Sequence, residues 1–287
     1  MIDLILAILF FNVILVIFKL FDRYNVNTLQ AIVTNYLVAG SCGIYFSTST
    51  VYKASPFEYD WIPFAICVGF FFILVFNLLA AGTQKVGLAI STVANKMSLI
   101  LPVVASFFLY DDHVSTLKIV GILCAVIGVI LTTTQAGKLN FDFKYIWLIL
   151  IIFFGQGIAD IIFNYAQQNF VDSKSGALFI AYIFLSAFAI GIVVLIIQAA
   201  RGILQLRIKN VLWGIAIGVP NFLSVFYFFK ALESEVVQSS QAYPILNMGV
   251  IIISAVAGFI LFGEKISLRN WIGVLLSIAA IAAIGFS

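Results

Sequence analysis

Ten apolar runs, each about as long as a bilayer is thick, follow one another at 2–21, 28–47, 61–83, 88–109, 116–134, 144–167, 175–198, 211–231, 236–262 and 266–286. A helix rises 1.5 Å per residue, so roughly twenty residues cross the ~30 Å hydrocarbon core. Backbone N–H and C=O groups in lipid find no water, which leaves helices or closed barrels as the structures that can cross it. Runs of this length read as helices, and the chain as an all-α integral membrane protein with ten transmembrane helices.

Composition agrees with that reading. Hydrophobic residues make up 63% of the 287 positions and charged residues 9%, against roughly 45–50% and about 25% in soluble domains. With 29 Phe, a globule of this size cannot hide its apolar surface, so lipid is expected as its solvent. The connections are short, and even those around 48–60 and 135–143 are too brief to fold alone. No soluble domain is expected to carry a separate activity. Met1-Ile2-Asp3 lacks the basic start of a cleavable signal peptide, so the first run reads as a retained span. Trp61, Trp147, Trp213 and Trp271 each open a run, where an indole suits the headgroup level.

Several functions fall away. The formal charge of +3 is thinly spread, and the Arg201, Arg207 and Lys209 group reads as a topology anchor, so no nucleic acid is expected as a partner. Cys42, Cys67 and Cys124 are odd in number and lie in apolar stretches, which suits buried small residues rather than disulfides or a metal site. The single histidine, His113, sits in a turn, and neither a nucleophile motif nor a His- or Asp-rich cluster is present. The chain is read as no enzyme, without cofactor or metal.

The sequence also repeats itself. Trp61 and Trp213 lie 152 residues apart, and at that shift Phe70 meets Phe222, Asn95 meets Asn247, Ser115 meets Ser267, Gly121 meets Gly273 and Asp112 meets Glu264. The first two helices of each half need a different offset. The expected organisation is a five-helix repeat over 1–134, a linker over 135–143 and a second repeat over 144–287. Five is odd, so the second copy enters the membrane from the opposite side, and inverted repeats of this kind underlie many alternating-access carriers.

Loops on the side of the first connection hold Lys19, Arg23, Lys85, Lys138, Lys144, Arg201, Arg207, Lys209, Lys265 and Arg269; the other side holds Lys53, Lys118, Lys174 and Lys230. The positive-inside rule makes the first side cytoplasmic and puts both termini outside the cell membrane.

The five-plus-five layout, the turn Phe262-Gly263-Glu264-Lys265-Ile266-Ser267 and its weaker partner Tyr110-Asp111-Asp112-His113-Val114-Ser115 resemble the drug/metabolite transporter superfamily, specifically its EamA-like group. The resemblance covers the whole chain. It implies transport of amino acids, other small metabolites, sugars or drugs, and treats the Gly-Glu turn as scaffold. Many members are described with both termini inside, the reverse of this chain's charge count.

Charged groups within spans cost roughly 2.5–3.5 kcal/mol on insertion scales and are functional candidates for that reason. Asp160 is one. With Gln156, Asn164 and Gln168 it recurs every fourth residue, forming one polar stripe that must face protein or water. The stripe is either a packing face or a cavity wall. Lys96 is the other, beside Asn95 and too deep to snorkel easily. By helical rise Lys96 and Asp160 differ in depth by roughly 8–10 Å, so they form either a stretched ion pair or the two ends of a zwitterion site.

Asn247 is the repeat partner of Asn95, and Ser240, Tyr243 and Asn247 share a face beside Pro244. Asn12, Asn77 and Asn221 read as packing amides, and Gly121, Ala125, Gly128, Gly273 and Ser277 as small faces for helix contact or a dimer.

The expected function is alternating-access transport of small polar metabolites, amino acids or related zwitterions foremost, with protons as a possible coupling partner. Asp160, Lys96, Asn95, Asn164, Gln156, Asn247, Tyr243 and Ser240 form the expected binding and coupling set. The alternatives are a cationic drug/proton antiporter and a component of a lipid-linked sugar flippase. Beyond the bilayer and a small-molecule substrate, the expected assembly is a monomer or homodimer.

Overall fold

The computed structural model describes residues 2–47, 58–109, 116–133, 145–171, 175–233, 239–264 and 267–285; within these, the side chains of 106–109, 118, 129, 132–133, 229, 232–233, 239–244 and 285 are not described. Eleven helices follow: α1 (Ile2–Arg23), α2 (Thr28–Phe46), α3 (Ile62–Lys85), α4 (Leu88–Met97), α5 (Ile100–Leu109), α6 (Thr116–Thr133), α7 (Ile146–Phe170), α8 (Gly176–Ala200), α9 (Ile208–Glu233), α10 (Ser239–Phe262) and α11 (Leu268–Gly285). Eight spans are long and apolar enough to cross a membrane, with shorter apolar stretches at Ile119–Gly128 and Leu268–Ile284. The fold is an all-α membrane protein, and no strand occurs among the described residues.

Local chemistry sets several ends. Asn27 caps α2, its side chain accepting from the Gln30 backbone N–H at 3.1 Å. Pro63 stands in the first turn of α3, where its missing N–H costs nothing. The run over 88–109, expected as one helix, is instead broken between α4 and α5. Pro102 brings no N–H to the Ser98 carbonyl, which takes the Leu101 N–H at 2.9 Å, while the Leu99 N–H bonds Lys96 O at 3.4 Å. The two short helices still make one passage.

Several helix pairs recur when each span is matched to the one five further on. Counting α4 and α5 as one span, α1 with α9 mirrors α7 with α3, and α2 with α9 mirrors α8 with α3; α2 with α8, α4 with α10, and α6 with α11 are each their own mirror image. These pairs all pack. Among the described residues several correspondences fail: α1 and α2 each pack against α3, whereas α7 with α9 and α8 with α9 make no comparable contact.

In lipid, helices cannot use the hydrophobic effect against one another, so close backbone approach carries the packing. Gly214 and Gly218 set α9 on α2: a Cβ at Gly214 would lie 2.5 Å from the Ala31 carbonyl oxygen, and one at Gly218 would lie 2.6 Å from Val38 Cβ. Polar bonds knit the same seam, with Asn221 donating to Asn35 at 3.1 Å and Asn210 to Gln30 at 2.7 Å. On α6, a Cβ at Gly128 would stand 2.5 Å from Ser277 Oγ, so the small faces expected for helix contact meet within the chain, α6 against α11. Trp147 is 68% exposed as an interfacial indole should be, but Trp61 is 2% exposed and stacks on Tyr59.

Replacing Gly214 with Ala is expected to cost about 1–3 kcal/mol of packing and to lower the apparent melting temperature of the purified protein by several degrees. Ala216→Leu, on the exposed side of α9, should leave it unchanged; differential scanning fluorimetry checks both.

Candidate functional site

The polar stripe of α7 is flanked by small residues. Gly155 and Gly157 let neighbouring helices come close: a Cβ at Gly155 would stand 2.9 Å from Val75 of α3, and one at Gly157 would stand 2.8 Å from Leu101 Cβ of α5. This brings the broken fourth span against the stripe. Gln156, Asp160 and Asn164 are half-buried, while Gln168, near the helix end, is exposed. The stripe thus serves protein over its first three members only.

A ladder of side-chain hydrogen bonds joins the two elements. Asn95 Nδ2 donates to Gln156 Oε1 at 3.1 Å, and Gln156 Nε2 donates to Asp160 Oδ1 at 2.8 Å. At the break, the Asn95 carbonyl accepts the Ser98 hydroxyl at 2.6 Å. The amide orientations follow from this network: Gln156 must offer its NH2 to the carboxylate, which fixes its oxygen toward Asn95.

Lys96 turns the other way. Its ammonium lies 3.7 Å from the centroid of the Phe11 ring of α1, a cation–π contact. It comes within 4.0 Å of no carboxylate among the described residues, although it and Asp160 are close enough to act on each other electrostatically. The stretched ion pair weighed above is therefore not made. Instead a carboxylate and an ammonium flank a row of amides, both half-buried and neither neutralised by direct contact. In a low dielectric each attracts an opposite charge strongly.

Of the expected set, the structure gathers Asn95, Gln156 and Asp160 into one network, with Lys96 beside it. Asn164 sits two turns along the same α7 face and makes no side-chain hydrogen bond among the described residues, so its amide is available to a ligand. Asn247 is 8% exposed on α10, which packs against both α1 and α4; it too has no side-chain hydrogen bond among the described residues. The side chains of Ser240 and Tyr243 lie outside the described residues. Asn12 and Asn77 donate to the carbonyls of Ile8 and Ile73, one turn back in their own helices, and Asn221 pairs with Asn35, as packing amides do.

Two participants escape a reading of residues alone. Ser98 could have been found from Pro102 four positions on, which frees a carbonyl and marks a break beside Asn95. Phe11 carries no such signal among 29 phenylalanines.

Comparison with known proteins converges on one group. A sequence model of the EamA-like transporter family matches residues 1–134. An uncharacterized protein of Haemophilus influenzae is 31% identical over 287 residues, covering 97% of this chain and 96% of that protein. A solved crystal structure superposes with a TM-score of 0.62 over 97% of both chains at 13% identity, a likeness of fold alone. Family members are transporters rather than enzymes, and this chain, a multi-span membrane protein, belongs to the EamA-like transporter family.

Proposed function

We propose that this transporter carries a zwitterionic small metabolite, an amino acid or a close relative, by alternating access around the ladder between α4 and α7. The observation that carries the reading is the row Asn95–Gln156–Asp160 with Lys96 held on Phe11: one anion, one cation and a row of amides between them. A ligand ammonium would take Asp160 and a ligand carboxylate would draw Lys96 off the Phe11 ring. The amides, Asn164 and Asn247 among them, can both donate and accept, which suits a ligand with both kinds of group.

Transport follows from the repeat architecture. A midplane site between inverted repeats is exposed to either side as the repeats, 1–134 and 144–287, rock against each other. Asp160 is the group that would exchange a bound proton for the ligand ammonium, because its Gln156 partner donates to it in either protonation state. The charge bias of the loops supports a reading in which the protein sits in the cell membrane with both termini outside.

Proteoliposomes holding wild-type protein are expected to take up radiolabelled amino acids faster under an imposed pH gradient. Asp160→Asn should abolish the gradient response, and Lys96→Met should weaken apparent affinity for the amino acid by at least about tenfold, the equivalent of 1.4 kcal/mol. No uptake by wild type in sealed vesicles contradicts the amino-acid reading. Faster movement of an organic cation in Lys96→Met than in wild type would favour a cationic drug antiporter instead. For orientation, a C-terminal epitope tag is expected to bind antibody on intact cells; binding only after permeabilisation reverses the assignment.

A further inference from the structure

Glu264 belongs to a turn expected to be scaffold, yet it makes the one ion pair within 4.0 Å among the described residues. Its Oε1 lies 2.9 Å from Lys19 Nζ, with both side chains mostly buried. The same oxygen accepts the backbone N–H of Leu88 at 2.8 Å, so the carboxylate also holds the N-terminus of α4. Lys19 donates in addition to the Thr83 carbonyl at 2.7 Å, and Gln84 Nε2 donates to Phe18 O at 3.1 Å. Four element ends, of α1, α3, α4 and α10, are thereby tied together, three from the first repeat and one from the second.

The seat for this carboxylate is built. Gly263, at φ +60°, turns the chain so that the Glu264 N–H meets Gly258 O at 3.0 Å. A Cβ at Gly258 would lie 2.6 Å from Glu264 Oε2, and one at Gly87 would lie 3.3 Å from it in a backbone of φ +124°. Three glycines thus make room for one carboxylate. At the 152-residue shift the counterparts of Gly87, Gly258 and Gly263 are Ser239, Ser106 and Asp111, so the opposite end does not repeat the glycine seat.

We propose that Glu264 and Lys19 form a one-sided latch that shuts the carrier at the end where α1, α3 and α10 terminate, and that releasing it is a required step in opening that end. Three observations meet here. The latch joins the two repeats, it anchors the helix that carries Asn95 and Lys96 only seven and eight residues further on, and it lies at the end where Lys19 and Phe18 of α1 are bonded to Thr83 and Gln84 of α3. The break at Ser98–Leu99 leaves α4 a short lever, held by Glu264 at one end and by the amide ladder at the other. A ligand that rearranges the ladder therefore pulls on the latch. Because the three glycines do not recur in the sequence of the other side, the latch biases the empty protein toward the state closed at this end. The inference rests on the transport reading above.

The test needs no substrate, so it can fail independently of that reading. Ser91, fully buried against Gly82 one turn into α4, becomes a reporter as Ser91→Cys in a background with Cys42, Cys67 and Cys124 replaced by Ala. A membrane-impermeant maleimide is confined to the Lys19 side of sealed proteoliposomes. Glu264→Gln, which keeps an acceptor for the Leu88 N–H but loses the ion pair, is expected to raise the labelling rate at least about tenfold. Lys19→Met should do the same, and Lys19→Arg should restore the slow rate. Equal rates in the parent, Glu264→Gln and Lys19→Met overturn the latch. Should Glu264→Gln fail to purify as a single species, Lys19→Met decides alone, since it leaves the Glu264 seat intact.

Discussion

Water is absent from the bilayer core, and every polar group placed there must find its partner within the protein or within what the protein carries. Most of this chain obeys by helix formation alone. The informative exceptions are the side chains that stay polar at depth: amides that bond back into their own helix, amides that join α2 to α9, and the row from Asn95 through Gln156 to Asp160. The first two kinds are self-sufficient. The third ends in a carboxylate, with an ammonium close by that rests on an aromatic face. A static scaffold gains nothing from such an arrangement that apolar packing would not supply at lower cost, since well-packed apolar residues often serve as well as buried ions.

The same constraint explains how the site is held. Small residues on α7 bring α3 and α5 close, and the break after Met97 turns Asn95 and Ser98 toward the stripe. The break frees the Asn95 carbonyl, and the Ser98 hydroxyl meets it. Gly214 and Gly218 of α9 make a tight, polar-knit seam with α2, while α4 is short, interrupted and tied at its end by a single carboxylate. Rigid seam and short lever are complementary requirements for a carrier that must move without falling apart.

Much of this was legible before any coordinates. Apolar run length placed the spans to within a few residues, because hydropathy and backbone satisfaction are the same constraint seen twice. Four-residue periodicity found the stripe on α7, of which Gln156 and Asp160 are bonded to each other. What escaped was whatever depends on partners distant in sequence. Lys19 and Glu264 meet across almost the whole chain, so a turn motif that reads as scaffold becomes a latch only when α1 is laid against it. Lys96 resting on Phe11 rather than on Asp160 was equally hidden, since one ring among many carries no local mark. The interruption of the fourth span was legible in principle from Pro102, but the surrounding apolar run masked it.

The central claim is that one midplane site is offered to the two sides in turn. Asn164, on the α7 face beside Asp160, is suited to report it as Asn164→Cys in the same cysteine-free background. Impermeant maleimides applied from either side of the membrane are expected to label this one position, and saturation from one side should remove all reactivity from the other. Added amino acid should slow both reactions. Labelling from a single side under every condition, or from neither, would contradict alternating access at this site.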